Sequence, residues 1–285
     1  MGGEARPRFL CAGSSFESAR VVLLGCPFDG TVSYRRGARL GPDAMREASD
    51  CLETYSPGLD KDLSDAALCD MGDVDFFSGD TEAVLASIRA EASAIFQAGK
   101  RPVFLGGEHL VSLPAVQAVL GVFPGLAVFQ WDAHADLRDD YLGEKLSHAC
   151  AVRRILELDG VGPLRQFGVR SGTREEFAWM RANDTMRPLT PEAVAAALKE
   201  AGERAVYLTI DMDVVNPGEM PGTGSPEPGG PGFDALIECI RVLDASGARV
   251  VGADVVELAP EWDPTGASAV AAAKVVRELA LAMGA

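Results

Sequence analysis

Asp132, His134 and Asp136 stand at every second position of FQWDAHADLR (residues 129–138), just where a run of β-forming residues ends at Trp131. The chain has 285 residues but only three histidines, His109, His134 and His148, each inside a motif. Histidine is the commonest metal ligand and the commonest acid–base group near neutral pH. DMD (211–213) repeats the alternating acids, and GGEH (106–109) adds a further imidazole. On an extended strand alternate residues share a face. The spacing therefore predicts that Asp132, His134 and Asp136 aim at one point, and that Asp211 and Asp213 do the same.

Singly, most of these pieces have ordinary explanations. An Asp-x-Asp at a strand end is more often a cap or turn than a ligand pair. His148 after Ser147 reads as a surface residue at a helix start, and Glu257 before LAP as loop polarity. Jointly they point elsewhere. Four carboxylates crowded without cations would repel, and some would stay protonated. Two divalent ions bring the four balancing charges, and six protein groups suffice if one or two aspartates bridge. Oxygen and imidazole donors without thiolate favour manganese or magnesium over zinc. Two such ions about 3.5–4 Å apart turn water into a nucleophile at neutral pH and orient an electrophile beside it. The chemistry expected is hydrolysis at an electron-poor carbon or phosphorus. Arg138, Arg153, Arg154 and Arg170 lie near the motifs and leave a phosphoester open.

The elements that must position these groups are legible as alternating apolar strands and amphipathic helices. Strands are predicted at 20–24, 102–105, 126–131, 166–169, 206–210 and 250–255. Helices are predicted at 42–52, 81–98, 113–120, 149–158, 191–201, 233–245 and 268–283. Continuous apolar strands separated by helices imply an α/β fold with a mostly parallel sheet covered on both faces. The Gly/Pro-rich stretch 217–232 reads as a loop rather than a linker, and there is no internal repeat. One domain over residues 1–285 is expected, with 1–19 a poorly defined N-terminal segment. GGEH, DAHAD, DMD and Glu257 all fall at the carboxyl ends of predicted strands, the edge where open α/β sheets bind ligands.

A net charge of −16 argues against nucleic acid, and a negative field concentrates cations. No apolar run approaches the roughly 18–20 residues needed to span a bilayer, and the N-terminal stretch lacks the apolar core of a signal peptide. The expectation is a cytoplasmic protein with no membrane contact. The six cysteines show no C-x-x-C pair and are expected as reduced thiols, Cys150 a small core residue close to His148.

Taken together, GCPFDGTVSYRRGARLGPDAMREAS, GGEH, DAHADLR, SHACAVR, TIDMDVVNPGEMPGTGSPEPGG and DVVELAP resemble the ureohydrolase (arginase/agmatinase) family. The resemblance runs from about residue 20 to the C-terminus. It implies a three-layer α/β/α sandwich and two manganese ions, one on His109, Asp132, Asp136 and Asp211, the other on Asp132, His134, Asp211 and Asp213. Asp132 and Asp211 would bridge. It further implies that water activated between the metals attacks a guanidinium carbon to give urea and an amine. Glu257 would pair with the guanidinium, and His148 would carry a proton toward the leaving amine.

LRDDYLGEKLSHACAV and PGTGSPEPGG look like agmatinases, so the implied substrate is a small cationic guanidino compound. Agmatine to putrescine, a step of polyamine biosynthesis, is the first expectation. Guanidinobutyrase, formimidoylglutamase and a non-catalytic metal-stabilised scaffold are the alternatives. Arg138 could face a substrate carboxylate or support its loop, the second being preferred. The family forms trimers or pairs of trimers, so a homo-oligomer is expected. Two positions depart from the pattern. Asn216 stands where a third acid is usual, and Glu108 replaces the commoner aspartate, adding a methylene beside His109.

Overall fold

The computed structural model describes residues 7–76 and 80–284. The first residues of the 1–19 segment, 1–6, lie outside the described residues. From Pro7 onward the chain packs, with Phe9 buried and its N–H donating to Asp70 Oδ2 at 3.0 Å.

The chain begins with β1 (Val21–Cys26), α1 (Gly41–Ser49), the short pair β2 (Tyr55–Ser56) and β3 (Lys61–Asp62), and β4 (Leu68–Asp73). It continues through α2 (Thr81–Gln97), β5 (Arg101–Gly106), α3 (Ser112–Leu120), β6 (Ala127–Trp131), α4 (Ala151–Leu156) and β7 (Leu164–Phe167). It ends with α5 (Arg174–Ala182), β8 (Met186–Arg187), α6 (Pro191–Ala201), β9 (Val206–Asp211), α7 (Phe233–Ala245), β10 (Val250–Val256) and α8 (Ala267–Gly284). One eight-stranded sheet runs in the order β4-β1-β5-β10-β9-β6-β7-β8, and every pairing within it is parallel.

Alternate strand residues feed two separate cores, as a sheet buried on both faces requires. Leu23, Val103, Leu105, Phe129, Leu208 and Val255 face the side covered by α1, α6, α7 and α8. Val22, Leu24, Phe104, Val128, Tyr207 and Val251 face the side covered by α2, α3 and α4. The expected three-layer sandwich is therefore present. Among the described residues no helix is long and apolar enough to cross a membrane.

The sequence pattern does not predict β4, β8 or α5. In β4, Asp70 and Asp73 interrupt the apolar run because they clasp the buried guanidinium of Arg46 from α1, at 2.9 and 2.6 Å. Helix α5 carries few apolar residues, but its start is marked by a capping box between Thr173 and Glu176.

Candidate metal centre

Four neighbouring strands, β5-β10-β9-β6, deliver the polar residues to one crevice at the middle of the sheet. His109 follows β5, Glu257 follows β10, Asp211 closes β9, and Asp132, His134 and Asp136 follow β6. The alternation in DAHAD does not work through strand pleating, however. β6 stops at Trp131, and the chain leaves the sheet in a tight turn where Asp132 Oδ1 accepts the His134 N–H at 2.6 Å. Asp136 then takes a left-handed backbone (φ 52), a conformation that aspartate tolerates better than most residues. Asp213 likewise sits in a helical turn, its N–H donating to Asp211 Oδ1 at 2.8 Å. The convergence is as expected; folded loops rather than extended strands produce it.

His109 lies at the bottom of the crevice, 1% exposed. Its Nδ1 is 3.0 Å from both Asp132 Oδ2 and Asp136 Oδ2 and 3.6 Å from Asp211 Oδ2, and none of these contacts among the described residues has the angle of a hydrogen bond. The opposite ring nitrogen explains the orientation. Nε2 lies 2.9 Å from Thr209 Oγ1, and the Thr209 hydroxyl donates to Asp254 Oδ1 at 2.6 Å. Because that hydroxyl hydrogen is used, Nε2 is the donor, which leaves Nδ1 as the nitrogen that would give its lone pair to a cation; without one, Asp132 and Asp136 favour a proton there. An imidazole fixed by such a partner behind it is how proteins aim a metal ligand.

Two groups of donors fit divalent cations. His109, Asp132 and Asp211 form one, and Asp132, His134 and Asp213 the other, with Asp132 common to both. His134 Nδ1 is 2.9 Å from Asp213 Oδ2 and 3.7 Å from Asp132 Oδ1. The donor set is imidazole and carboxylate only, and it suits hard divalent ions.

The electrostatics give the same answer. Burial raises the Asp136 carboxyl to about 6, and the neighbouring Asp132 charge adds to this. Burial and the charges of Asp213 and Asp132 push Asp211 well up. Burial, then Glu108, raise Glu257 to about 8. Burial opposes charge on His134, but Asp213 and Asp132 overcome it and lift the imidazole to about 12. Without metal, the site holds protons where cations would sit.

A prediction follows from these directions. The unfolded chain loses its carboxyl protons near pH 4 and its histidine protons near 6.5, while the folded metal-free chain keeps some of both. From pH 6.5 to 9 the native state therefore binds more protons, so its stability falls as pH rises. His148 has the opposite sign, but its contribution is complete by about pH 7.5, where the unfolded imidazole has lost its proton, and it is smaller than the opposing sum. Thermal melts of the chelated chain should drop between pH 6.5 and 9 by a few degrees, since ~1 kcal/mol moves Tm by about 2–4 °C at this size. Manganese should flatten the decline. A chelated chain that melts higher at pH 9 than at 6.5 would overturn this account.

A cavity of about 230 Å³ opens onto the site, lined by His134, Asp136 and Asp213 and also by Arg138, Tyr141, His148, Glu176 and Glu257. Glu257 has a left-handed backbone (φ 65), and its Oε1 accepts the His109 N–H at 2.8 Å. Strain of this kind persists where a side chain must be held in one place. Burial holds the His148 imidazole down at about 4, so it is neutral at physiological pH. The edge of its ring meets Tyr141, centroids 5.7 Å apart.

The nearby arginines separate cleanly. Arg153 pairs with Glu157, and Arg154 pairs with Asp139 and Glu157. Arg170 donates to the backbone carbonyls of Asp213, Val214 and Glu227. Arg138 lines the cavity, stacks over Tyr141 at 5.0 Å, and makes no ion pair among the described residues. Asn216 caps its own loop by accepting the Gly218 N–H at 2.9 Å, so its departure from an acid leaves the ligands untouched. Cys150 is buried, its thiol pushed up to about 11 by burial, and all six cysteines are free.

A model of the arginase family matches residues 19–282. The chain belongs to the arginase family. It is 43% identical to the agmatinase of Bacillus anthracis over 96% of this chain and 95% of that protein. It is 39% identical to the N(1)-aminopropylagmatine ureohydrolase of Thermococcus kodakarensis, over 89% and 88%. The crystal structure of agmatine ureohydrolase from Thermoplasma volcanium superposes with a TM-score of 0.85 at 32% identity, covering 99% of this chain and 95% of that one. Within this arginase-family site, reasoning from sequence did not reach Thr209 and Asp254. An acid inside the buried apolar run VVGADVV was the available signal.

Proposed function

We propose that this chain hydrolyses agmatine to putrescine and urea, with His109, Asp132, Asp136 and Asp211 holding one manganese ion. Asp132, His134, Asp211 and Asp213 hold the second. The observation that carries this reading is the convergence of three carboxylate oxygens on the buried Nδ1 of His109, with Asp132 shared by a second donor group. When bound, two such ions supply Lewis acidity and a water nucleophile usable at neutral pH.

The remaining roles belong to the chain itself. Glu257, at the cavity wall, receives the guanidinium through charge-assisted hydrogen bonds, which are roughly twice as strong as neutral ones. A cation against Glu257 also favours its ionised form and so reverses the upward push of burial and Glu108. His148 enters the cycle neutral and is placed to move a proton toward the departing amine. With the ligand carboxylates balanced by metal, Glu176 and Glu257 outnumber Arg138 on the cavity wall, which suits a substrate carrying positive charge at both ends. Relatives named as agmatinases support the same substrate. The family resemblance further supports a homo-oligomer of three or six copies.

One observation favours a second reading: Arg138 borders the cavity without an ion-pair partner and could receive a carboxylate. Urea release by the manganese-loaded chain from agmatine, arginine and guanidinobutyrate, beside formamide release from formimidoylglutamate, separates the two. Agmatine is expected to be preferred. A preference for guanidinobutyrate would make Arg138 the anchor, and inactivity on all four would leave a metal-stabilised scaffold.

A further inference from the structure

We propose that Glu108 and Thr31 are positioning residues that set the orientation and tautomer of His148, with the ring hydrogen on Nδ1 and the Nε2 lone pair toward the cavity. The proposal rests on the reading of His148 as the proton-transfer group. Neither Glu108 nor Thr31 is a metal ligand in that reading, and neither lines the cavity.

The argument is an inventory of one hydroxyl. A threonine Oγ has one hydrogen to give and two lone pairs to receive with. Thr31 Oγ1 lies 2.5 Å from Glu108 Oε1, and the Thr31 N–H donates to Glu108 Oε2 at 2.8 Å. With Glu108 ionised its oxygens only accept, so the Thr31 hydrogen goes to Glu108. The first lone pair of Thr31 Oγ1 receives the backbone N–H of His148 at 2.9 Å. What remains is a lone pair facing His148 Nδ1 at 3.3 Å. Two lone pairs would repel there, so Nδ1 carries the hydrogen. Ser147 Oγ, 3.4 Å from the same nitrogen, offers it a second acceptor. Nε2 is thereby left bare, with Ser33 Oγ 3.4 Å away on the cavity side.

The backbone explains how residues 77 positions apart meet. The Gly107 and Glu108 N–H groups donate to Cys26 O and Phe28 O, at 2.9 and 2.7 Å, drawing the segment after β1 against the end of β5. A Cβ on Gly107 would stand 1.9 Å from Phe28 O, so only glycine allows that approach. Glu108 is fully buried and spends both oxygens on Thr31. The extra methylene relative to aspartate supplies its reach. The residue next to the metal-ligand candidate His109 thus also governs the group on the opposite wall.

The test uses the full chain labelled with 15N-histidine, whose three imidazoles are resolvable, metal-free and with diamagnetic magnesium. Ring 15N shifts and one-bond splittings identify the protonated nitrogen of His148. In the unaltered chain Nδ1–H is expected. In Glu108→Gln the side-chain amide donates to Thr31, the hydroxyl hydrogen turns to Nδ1, and the Nε2–H form should grow. Turnover of the manganese-loaded variant should fall by about 10²-fold, the scale of a misplaced group, with KM changed less than about two-fold. Thr31→Val should show the same kinetic split, whereas Thr31→Ser keeps the hydroxyl and should restore both the tautomer and kcat. An Nε2–H His148 in the unaltered chain, or Thr31→Val with normal shifts and kcat, overturns the proposal. Full activity in His148→Ala would instead remove the proton-transfer reading, while the ring spectra of the unaltered chain still decide the tautomer.

Discussion

Replacing Asp132 by alanine is expected to abolish metal binding and urea release together. Asp132 is 0% exposed and touches both donor groups, lying 3.0 Å from His109 and 3.7 Å from His134. Its Oδ2 also accepts from Gln130 Nε2 at 2.6 Å, so the carboxylate is held from behind. Outer-shell changes alone cost 10–100-fold in metal affinity, so losing a ligand shared by two sites should cost about 10³-fold or more in activity. The fold itself should survive, because the residue lies beyond the last paired position of β6. Far-UV circular dichroism should match the unaltered chain, while calorimetric titration with manganese should lose its heat. Two metals still bound per subunit would sink the assignment.

The second large effect separates binding of metal from binding of substrate. Glu257→Gln keeps the shape and the acceptor for the His109 N–H, seen at 2.8 Å, but removes the charge. Hydrogen bonds to charged groups are worth about 1.5–3 kcal/mol, so kcat/KM for a guanidinium substrate should fall by about 10- to 100-fold. Manganese stoichiometry should be unchanged. Because the amide has no high-lying protonation step, the variant should also lose any activity limb that depends on ionising Glu257. Wild-type kcat/KM in this variant would remove Glu257 from the substrate's surroundings.

The metal-ligand candidates were legible because their chemistry is local. Each acid pair alone reads as a cap or turn, but several of them with imidazoles at the ends of long apolar strands leave few other uses. The reason given for their convergence was nonetheless incomplete. Period-two spacing suggested a pleated strand, whereas Asp132 and Asp136 meet His109 through a turn and a left-handed residue. Tertiary hydrogen bonds decide that geometry, and no short-range pattern encodes them. β4 escaped for a related reason: its acids serve Arg46 from another element, which disguises a buried strand as a polar one. Thr31, Thr209 and Asp254 escaped because threonines are common and their partners lie 77 and 45 positions away. Buried polar groups must find partners, but sequence alone does not say which.

The strand order has a consequence for how the protein comes into being on the ribosome. β5 and β6 follow one another in the chain, yet β9 and β10 lie between them in the sheet. A nascent chain that has emerged only as far as α6 therefore carries His109 and the DAHAD acids on strands whose shared neighbours have not been synthesised. If β5 and β6 paired directly, the central gap would close in the wrong register and bury exposed apolar edges. Residues 206–256 must insert before the crevice exists, and long-range parallel pairing is slow. Neither donor group is complete until β9 has brought in Asp211 and Asp213, so any capture of metal would wait until late in synthesis.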